Sequence, residues 1–283
     1  IYTVKDTLSL HDALPIWALF LVEAPGQFIE IGAFGGLAAY SGDLSQSSFD
    51  FYTQNAQPSV GAFLRAPLHE RFSARLQYTY ARLQAEDAFP SRGLNFRTDI
   101  SELTLGLEVH PWTFGKGRTT FTPYVTAGVG YFTFNPQGRD GEAWIDLHPL
   151  GTEGQYLADG PEPYDRNQFN LPVGVGLKFN FNEKVVFGVE WLGRKLFTDY
   201  LDDVSDALVN YQELLEISGP VSARMSRPNY RPDGNDDPIY RRGGSYHDWF
   251  HTLTLSLAFP IGGQGKHLLD PSKQKTSCYE FRK

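Results

Sequence analysis

The chain has 283 residues, and 41% hydrophobic with 20% charged residues is too apolar a mixture for a disordered protein. Its 21 Phe, 15 Tyr, 5 Trp and 28 Gly favour strands and close backbone contacts over helix bundles, and its mean hydropathy of -0.34 comes with no apolar run near the ~18 to 20 residues of a spanning helix. A net charge of -8 and a pI near 5.4 argue against nucleic acid as a partner, and the single cysteine, Cys278, excludes an internal disulfide or a Cys-rich metal site.

Residues Thr7 to Ile16 read TLSLHDALPI, the translation expected of a common sequencing-library adapter, so residues 1–16 are set apart from the fold. WALFLVEAPGQ, Trp17 to Gln27, has the apolar run and the small residues Ala24, Pro25 and Gly26 of a secretory-signal end. On that reading residues 17–26 are a signal remnant and the mature protein starts near Gln27.

From Gln27 on, apolar and polar residues alternate with period two in eight segments, at 28–40, 57–67, 72–82, 99–110, 121–134, 167–180, 185–197 and 249–259. Segments of about ten residues with this period suit tilted barrel strands, not helices. In the third, Phe72, Ala74, Leu76, Tyr78 and Tyr80 oppose Ser73, Arg75, Gln77 and Thr79. Across all eight, one face collects Val, Leu, Phe and Ala. The other carries Glu30, Arg65, Arg75, Glu102, Glu108, Lys178, Glu190 and Arg194, four acids and four bases.

With the polar face inward, the charges share a narrow lumen where each can pair, and the apolar face meets lipid. With the faces exchanged, the same pattern describes a soluble barrel. Connection lengths favour the membrane: 41–56, 83–98, 135–166 and 198–248 are long, and 68–71, 111–120 and 181–184 are short. Outer-membrane barrels have short periplasmic turns and long external loops. The sequence therefore predicts an all-β, eight-stranded antiparallel up-and-down transmembrane β-barrel over residues 27–260 in a bacterial outer membrane, its exterior against lipid, with a periplasmic tail at 261–283.

The external loops are acidic, with seven acids against two bases in 135–166 and nine against five in 199–247. Within the latter, Tyr200, Leu201, Val204, Leu208, Tyr211, Leu214 and Leu215 recur at helical spacing, which predicts a short amphipathic helix folded over the barrel mouth.

Three stretches go beyond architecture: FIEIGAFGGLAAYSGDL from Phe28 to Leu44, LGTEGQ (Leu150, Gly151, Thr152, Glu153, Gly154, Gln155), and FGVEWLGRKLFTDYLDDVS from Phe187 to Ser205. The most specific part is Phe197, Thr198, Asp199, Tyr200, Leu201, Asp202 and Asp203. Together they resemble the PorG-like outer-membrane barrel family, which includes a component of the type IX secretion system and relatives without an assigned role. The resemblance implies an outer-membrane accessory or anchoring protein that contacts a periplasmic ring. Its alternative is a stand-alone surface barrel for ligand binding or envelope protection. The terminal SCYEFRK resembles the Cys-containing ends of that family only loosely.

No catalytic, metal or cofactor site is expected. His247, Asp248, His251, Asp202 and Asp203 share the last external loop region but no enzymatic spacing, and histidines at a strand entry suit an interfacial belt. Asp233 to Asp237 is oxygen-rich but lacks the spacing and closing Glu of a calcium loop. The candidate contacts for a periplasmic secretion-ring protein are the bases of one short turn and the tail: Lys116, Arg118, Lys266, Lys273 and Lys275.

Overall fold

Lipid offers no hydrogen-bond partner, so a spanning sheet must satisfy every backbone group internally, which closure achieves. In the computed structural model, which describes residues 29–45, 55–87, 92–116, 119–182, 184–231, 236–244 and 247–261, the sheet closes. Its strands, in chain order, are β1 (Ile29–Ser41), β2 (Gln57–His69), β3 (Phe72–Glu86), β4 (Asn95–Val109), the short β5 (Phe114–Lys116), β6 (Thr119–Thr133), β7 (Gln137–Asp140), β8 (Ala143–Asp146), β9 (Asn167–Asn182), β10 (Val185–Leu196), β11 (Leu208–Asn210), β12 (Ile239–Arg241) and β13 (Trp249–Ile261). Two short helices, α1 (Tyr211–Ile217) and α2 (Gly219–Ser226), lie between β11 and β12.

Eight of the strands make the barrel, in the antiparallel order β1-β2-β3-β4-β6-β9-β10-β13, and β13 pairs back onto β1 from Ile29 against Ile261 to Ser41 against Trp249. β5 extends the wall beside β6, while the β7–β8 hairpin and the β11–β12 ribbon belong to the external connections. Among the described residues no helix is long and apolar enough to cross a membrane; the strands do the crossing.

The apolar face is outside. Leu64, Leu76, Leu103, Leu105, Val125, Val129, Val173, Val175, Leu255 and Leu257 are all exposed around the wall. Aromatic rings border the band at both ends. Phe114, Phe121, Phe179 and Phe187 follow one another at 5.1 to 6.3 Å beside the short turns. Near the long loops, Tyr131 lies against Phe169, and His251 stacks on Trp191 and Trp249.

The strands outrun the apolar band. Expected to end at 82 and begin at 99, β3 and β4 continue to Glu86 and from Asn95, so the connection expected at 83–98 shrinks to 87–94. The side-chain alternation is unbroken, but its chemistry inverts there. Arg82 and Asp99, paired outside at 2.7 Å, mark the change. Beyond them the outer positions are polar and the inner ones are Ala81, Leu83, Ala85 and Phe96, with Thr98 as the polar exception, all buried. This protruding wall encloses an apolar core under the loops, where Ala38, Tyr40, Ile100, Phe132, Leu196 and Phe250 meet the loop residues Leu44, Leu94, Tyr164, Leu201 and Val204.

The short helix expected in the last loop is present, but it starts later than the spacing from Tyr200 to Leu215 indicates. Residues 200–207 turn down into the mouth, and helix begins only at Tyr211, where the Asn210 side chain accepts from the Gln212 and Glu213 amides. Asp202 Oδ1 accepts the Val204 amide at 3.0 Å, a local bond that competes with helix. Gly219, at φ 88°, then breaks α1 from α2 in a conformation that glycine adopts without strain.

A protease site inserted at Asp159, which is exposed at the end of the long connections, should be cut on intact cells, and one at Lys184 should be cut only after the outer membrane is opened. Cleavage at Lys184 on intact cells would invert the barrel.

Candidate functional site

All eight charged residues of the polar face point inward and are buried, none more than 7% exposed. They form two groups at different depths. In the periplasmic half Glu108 is the hub: Arg65 reaches it at 2.9 Å, Arg75 at 3.1 Å and Lys178 at 2.5 Å. Arg65 also holds Glu30 at 2.5 Å, and Arg75 holds Glu190 at 2.5 Å. Three acids therefore meet three bases. Nearer the mouth, Arg194 pairs with Glu102 at 3.0 Å, donates to Thr252 Oγ1 at 2.6 Å and lies over the Phe250 ring, while Asn170 donates to the other oxygen of Glu102 at 2.8 Å.

Neutral residues that charge patterning does not reveal complete the groups. Tyr124 donates its hydroxyl to Glu190 at 2.8 Å, and His110 Nε2 lies 2.7 Å from Lys178 Nζ. Gly176 makes room for Tyr124: a Cβ there would sit 2.3 Å from the ring. Tyr124 occupies an inward position of β6, so the alternation was the available signal; His110 lies just past the end of β4 and had none.

A second polar site lies above the apolar core, and it joins the LGTEGQ and FTDYLDDVS stretches. The Thr152 hydroxyl donates to Asp203 Oδ2; Glu153 accepts from the Ser205 amide at 2.7 Å and from its hydroxyl at 2.5 Å. Arg242, buried between them, donates to Thr152 Oγ1 at 2.7 Å and to the Asp203 carbonyl at 2.6 Å. Tyr164 donates to Asp203 Oδ1 at 2.8 Å, and Asp203 itself takes a left-handed φ of 65°. Within LGTEGQ, Leu150 ends a 3-10 turn, Gly151 and Gly154 have positive φ, and Gln155 Oε1 accepts the Glu153 amide. Within the other stretch Phe197 is exposed, Thr198 accepts the Tyr200 amide, Tyr200 stacks on Tyr164 at 4.6 Å, and Leu201 is buried.

Asp202 and Asp248, from the two ends of the last loop, meet at Tyr40, whose hydroxyl lies 2.6 Å from one carboxyl and 2.8 Å from the other. One hydroxyl carries one proton, so it donates to a single carboxylate and the second acid must carry its own proton. Burial accordingly pushes both acids well above the usual carboxylate range. Burial also raises Glu153 to about 7 against the pull of Arg242, and raises Asp199 to about 7 with help from Asp43. Asp202 and Asp248 are each 1% exposed, which denies them a substrate, and His251 faces outward between two tryptophans. Among the described residues no group of three or more His, Cys, Asp or Glu is arranged to hold a metal ion. Lys116 is described in its backbone alone, and Arg118, Lys266, Lys273, Lys275, Asp233 and the segments 1–16 and 17–26 lie outside the described residues.

A closed eight-stranded sheet, apolar outside, ringed by aromatics and charged within, is an outer-membrane β-barrel. The chain belongs to the family described as a domain of unknown function, DUF6089, whose model matches residues 13–217. No curated protein matches it. Among solved structures, the chain is similar to the N-terminal barrel domain of OprF from Pseudomonas aeruginosa, at 15% identity over 83% of this chain and 100% of that one, with a TM-score of 0.36. It is also similar to OprG of the same organism, at 13% identity over 84% and 97% with a TM-score of 0.40, and to Neisserial surface protein A, at 10% over 84% and 100% with a TM-score of 0.40.

Two outcomes follow. Glu108→Leu leaves three bases facing two acids and should destabilise the barrel by at least the ~3 to 5 kcal/mol typical of a broken buried pair, against about 1 kcal/mol for lipid-facing Val189→Thr. Adding Lys178→Met restores one carboxylate to each arginine and should recover most of the loss in urea-unfolding midpoints; a double variant no better than the single would show that charge balance is not what the lumen requires. For Glu153, Asp199, Asp202 and Asp248, folded-state affinities for protons exceed those of exposed carboxyls, so opening releases protons, and the closed cap gains stability as pH falls from about 8 to about 5 and loses it as pH rises through about 7. Amide exchange of 197–208, corrected for intrinsic rates, should slow on acidification; protection independent of pH would mean that these acids do not change protonation on opening.

Proposed function

We propose that the protein is a non-enzymatic, non-conducting outer-membrane anchor, an accessory component of a type IX secretion machine of the PorG-like kind that contacts a periplasmic ring. The observation that carries the non-conducting role is the lumen, since a continuous water-filled pore would leave its charges accessible, and all eight are buried. A barrel that transports nothing acts through its rims. Its periplasmic rim exposes His69, Arg71 and Lys184 beside Glu70, and the bases Lys116, Arg118, Lys266, Lys273 and Lys275, against the acids Glu183, Asp270 and Glu280, belong to the same end in this reading. A basic rim speeds encounter with an acidic partner and loses that effect in salt. The resemblance of LGTEGQ and FTDYLDDVS to the PorG-like family supports the choice of machine. The stand-alone surface barrel draws support from a cleft of about 470 Å³ in the cap, walled by Leu157, Leu208, Val209 and Ile239 with Glu153, Asp159 and Glu213.

Deleting residues 266–283 and neutralising Lys116 and Arg118 should leave a folded, heat-modifiable barrel that recovers less periplasmic ring protein on pull-down and secretes less cargo. A folded variant with wild-type recovery and secretion would remove the anchoring role. In planar bilayers the wild-type barrel should give no conductance steps.

A further inference from the structure

The external face is acidic, yet four of its arginines gather at one point. Arg92, from the 87–94 connection, meets Arg227, which follows α2, and Arg241 and Arg242, at the end of β12, around a cavity of about 70 Å³. Ser226 and Tyr240 complete the polar wall and Leu94 adds an apolar patch. At ~10 to 15 Å³ for one water, such a cavity holds about five heavy atoms.

The charges there are unevenly balanced. Arg92 is neutralised by Asp87 at 2.7 Å, and Arg242 by Asp203 at 3.2 Å with Glu153 further off at 3.7 Å. Arg241 donates to the Asp206 carbonyl and has the Asp206 carboxylate at 3.8 Å, and both side chains are well exposed. Arg227 donates to the Asp237 carbonyl at 2.8 Å and lies over the Tyr230 and Tyr240 rings, with no carboxylate bonded to it among the described residues. Two donors also remain unused. Arg242 Nε is buried without a hydrogen-bond partner among the described residues. Ser226 Oγ and Tyr240 OH lie 2.6 Å apart, and that single bond consumes one of their two protons and leaves the other to donate.

We propose that this cavity binds a tetrahedral oxyanion, a phosphate or sulfate group, held by Arg227, Arg241 and Arg242 Nε with the one free hydroxyl proton of the Ser226–Tyr240 pair. Guanidinium forks match the several oxygens of such a group, and charge-assisted bonds to it are stronger than neutral ones. A halide would use one donor direction and leave the others unmet. The group arrives either as a free ion or on a phosphorylated glycolipid of the outer leaflet; the chemistry of recognition is the same. The site is independent of the anchoring role, which belongs to the opposite rim.

The test is calorimetric titration of the full barrel in phosphatidylcholine nanodiscs with sodium phosphate and, separately, sodium sulfate. Wild type should bind one equivalent saturably. Arg227→Gln and Arg241→Gln should each weaken binding by at least about tenfold, and Arg139→Gln, an exposed arginine of the neighbouring loop, should leave it unchanged. Arg241 is exposed on a short ribbon, so its variant folds even if loss of the Arg227 ring contacts loosens the cap, and heat-modifiable migration checks both. Repeating the titration with lipid A in the nanodisc assigns the source: suppressed phosphate binding means that the lipid headgroup occupies the site, and unchanged binding means that it takes the free ion. No saturable response to either anion up to about 10 mM, or equal affinity in wild type and both variants, overturns the proposal.

Discussion

Hydrocarbon accepts no hydrogen bonds, and the pairing of β13 with β1 is how this chain meets that constraint. Closure with eight strands leaves an interior only as wide as its own side chains. Charges placed there lose their water and can be held only by one another. Three acids and three bases therefore share one connected group in the periplasmic half, with Glu108 touching Arg65, Arg75 and Lys178, and a separate Glu102–Arg194 pair lies nearer the mouth. Each group is neutral by itself, so neither leaves an uncompensated charge in a dry space, a state costly enough to unfold a marginal protein.

The same alternation serves two solvents in succession. Within the membrane the outer positions are apolar and the inner ones polar; past Arg82 and Asp99 water replaces lipid outside, and the chemistry exchanges sides. The inner wall then offers apolar area, and Tyr164, Leu201 and Val204 descend from the loops to bury it. This core orders connections that would otherwise be long and open, and it carries the polar network of Thr152, Glu153, Asp203, Ser205 and Arg242 above it.

That cap separates charge. Burial against Tyr40 raises the proton affinity of Asp202 and Asp248 and so weakens their field at neutral pH, while Glu153 beside Ser205 is raised only to about 7. The acidic cleft bounded by Glu153, Asp159 and Glu213 lies on one side of the β11–β12 ribbon's wall, and the arginine cavity uses Tyr240 and Arg241 of the same ribbon.

Period two, eight times repeated, was enough in the sequence to give strand number and to sort residues onto two faces, because a residue's side is decided by its parity within a strand; which face meets lipid came from the long and short connections. The eight lumen charges were legible for the same reason, as was the long and short rhythm of the connections. The inversion past Arg82 was written in the sequence as well, but strand ends judged by an apolar outer face stop where the lipid stops, which cut β3 and β4 short. Helical spacing from Tyr200 to Leu215 found the helix of the last loop but not its start, because Leu201 and Val204 answer to a core beneath them and Asp202 turns the chain before Tyr211. Pairings lay beyond any local pattern. Arg242 meets Asp203 across 39 positions, and Asp248 meets Tyr40 across 208. Only closure of the barrel brings such segments together, since their contacts depend on which strands are neighbours around the wall and on how the loops fill the mouth that those strands enclose.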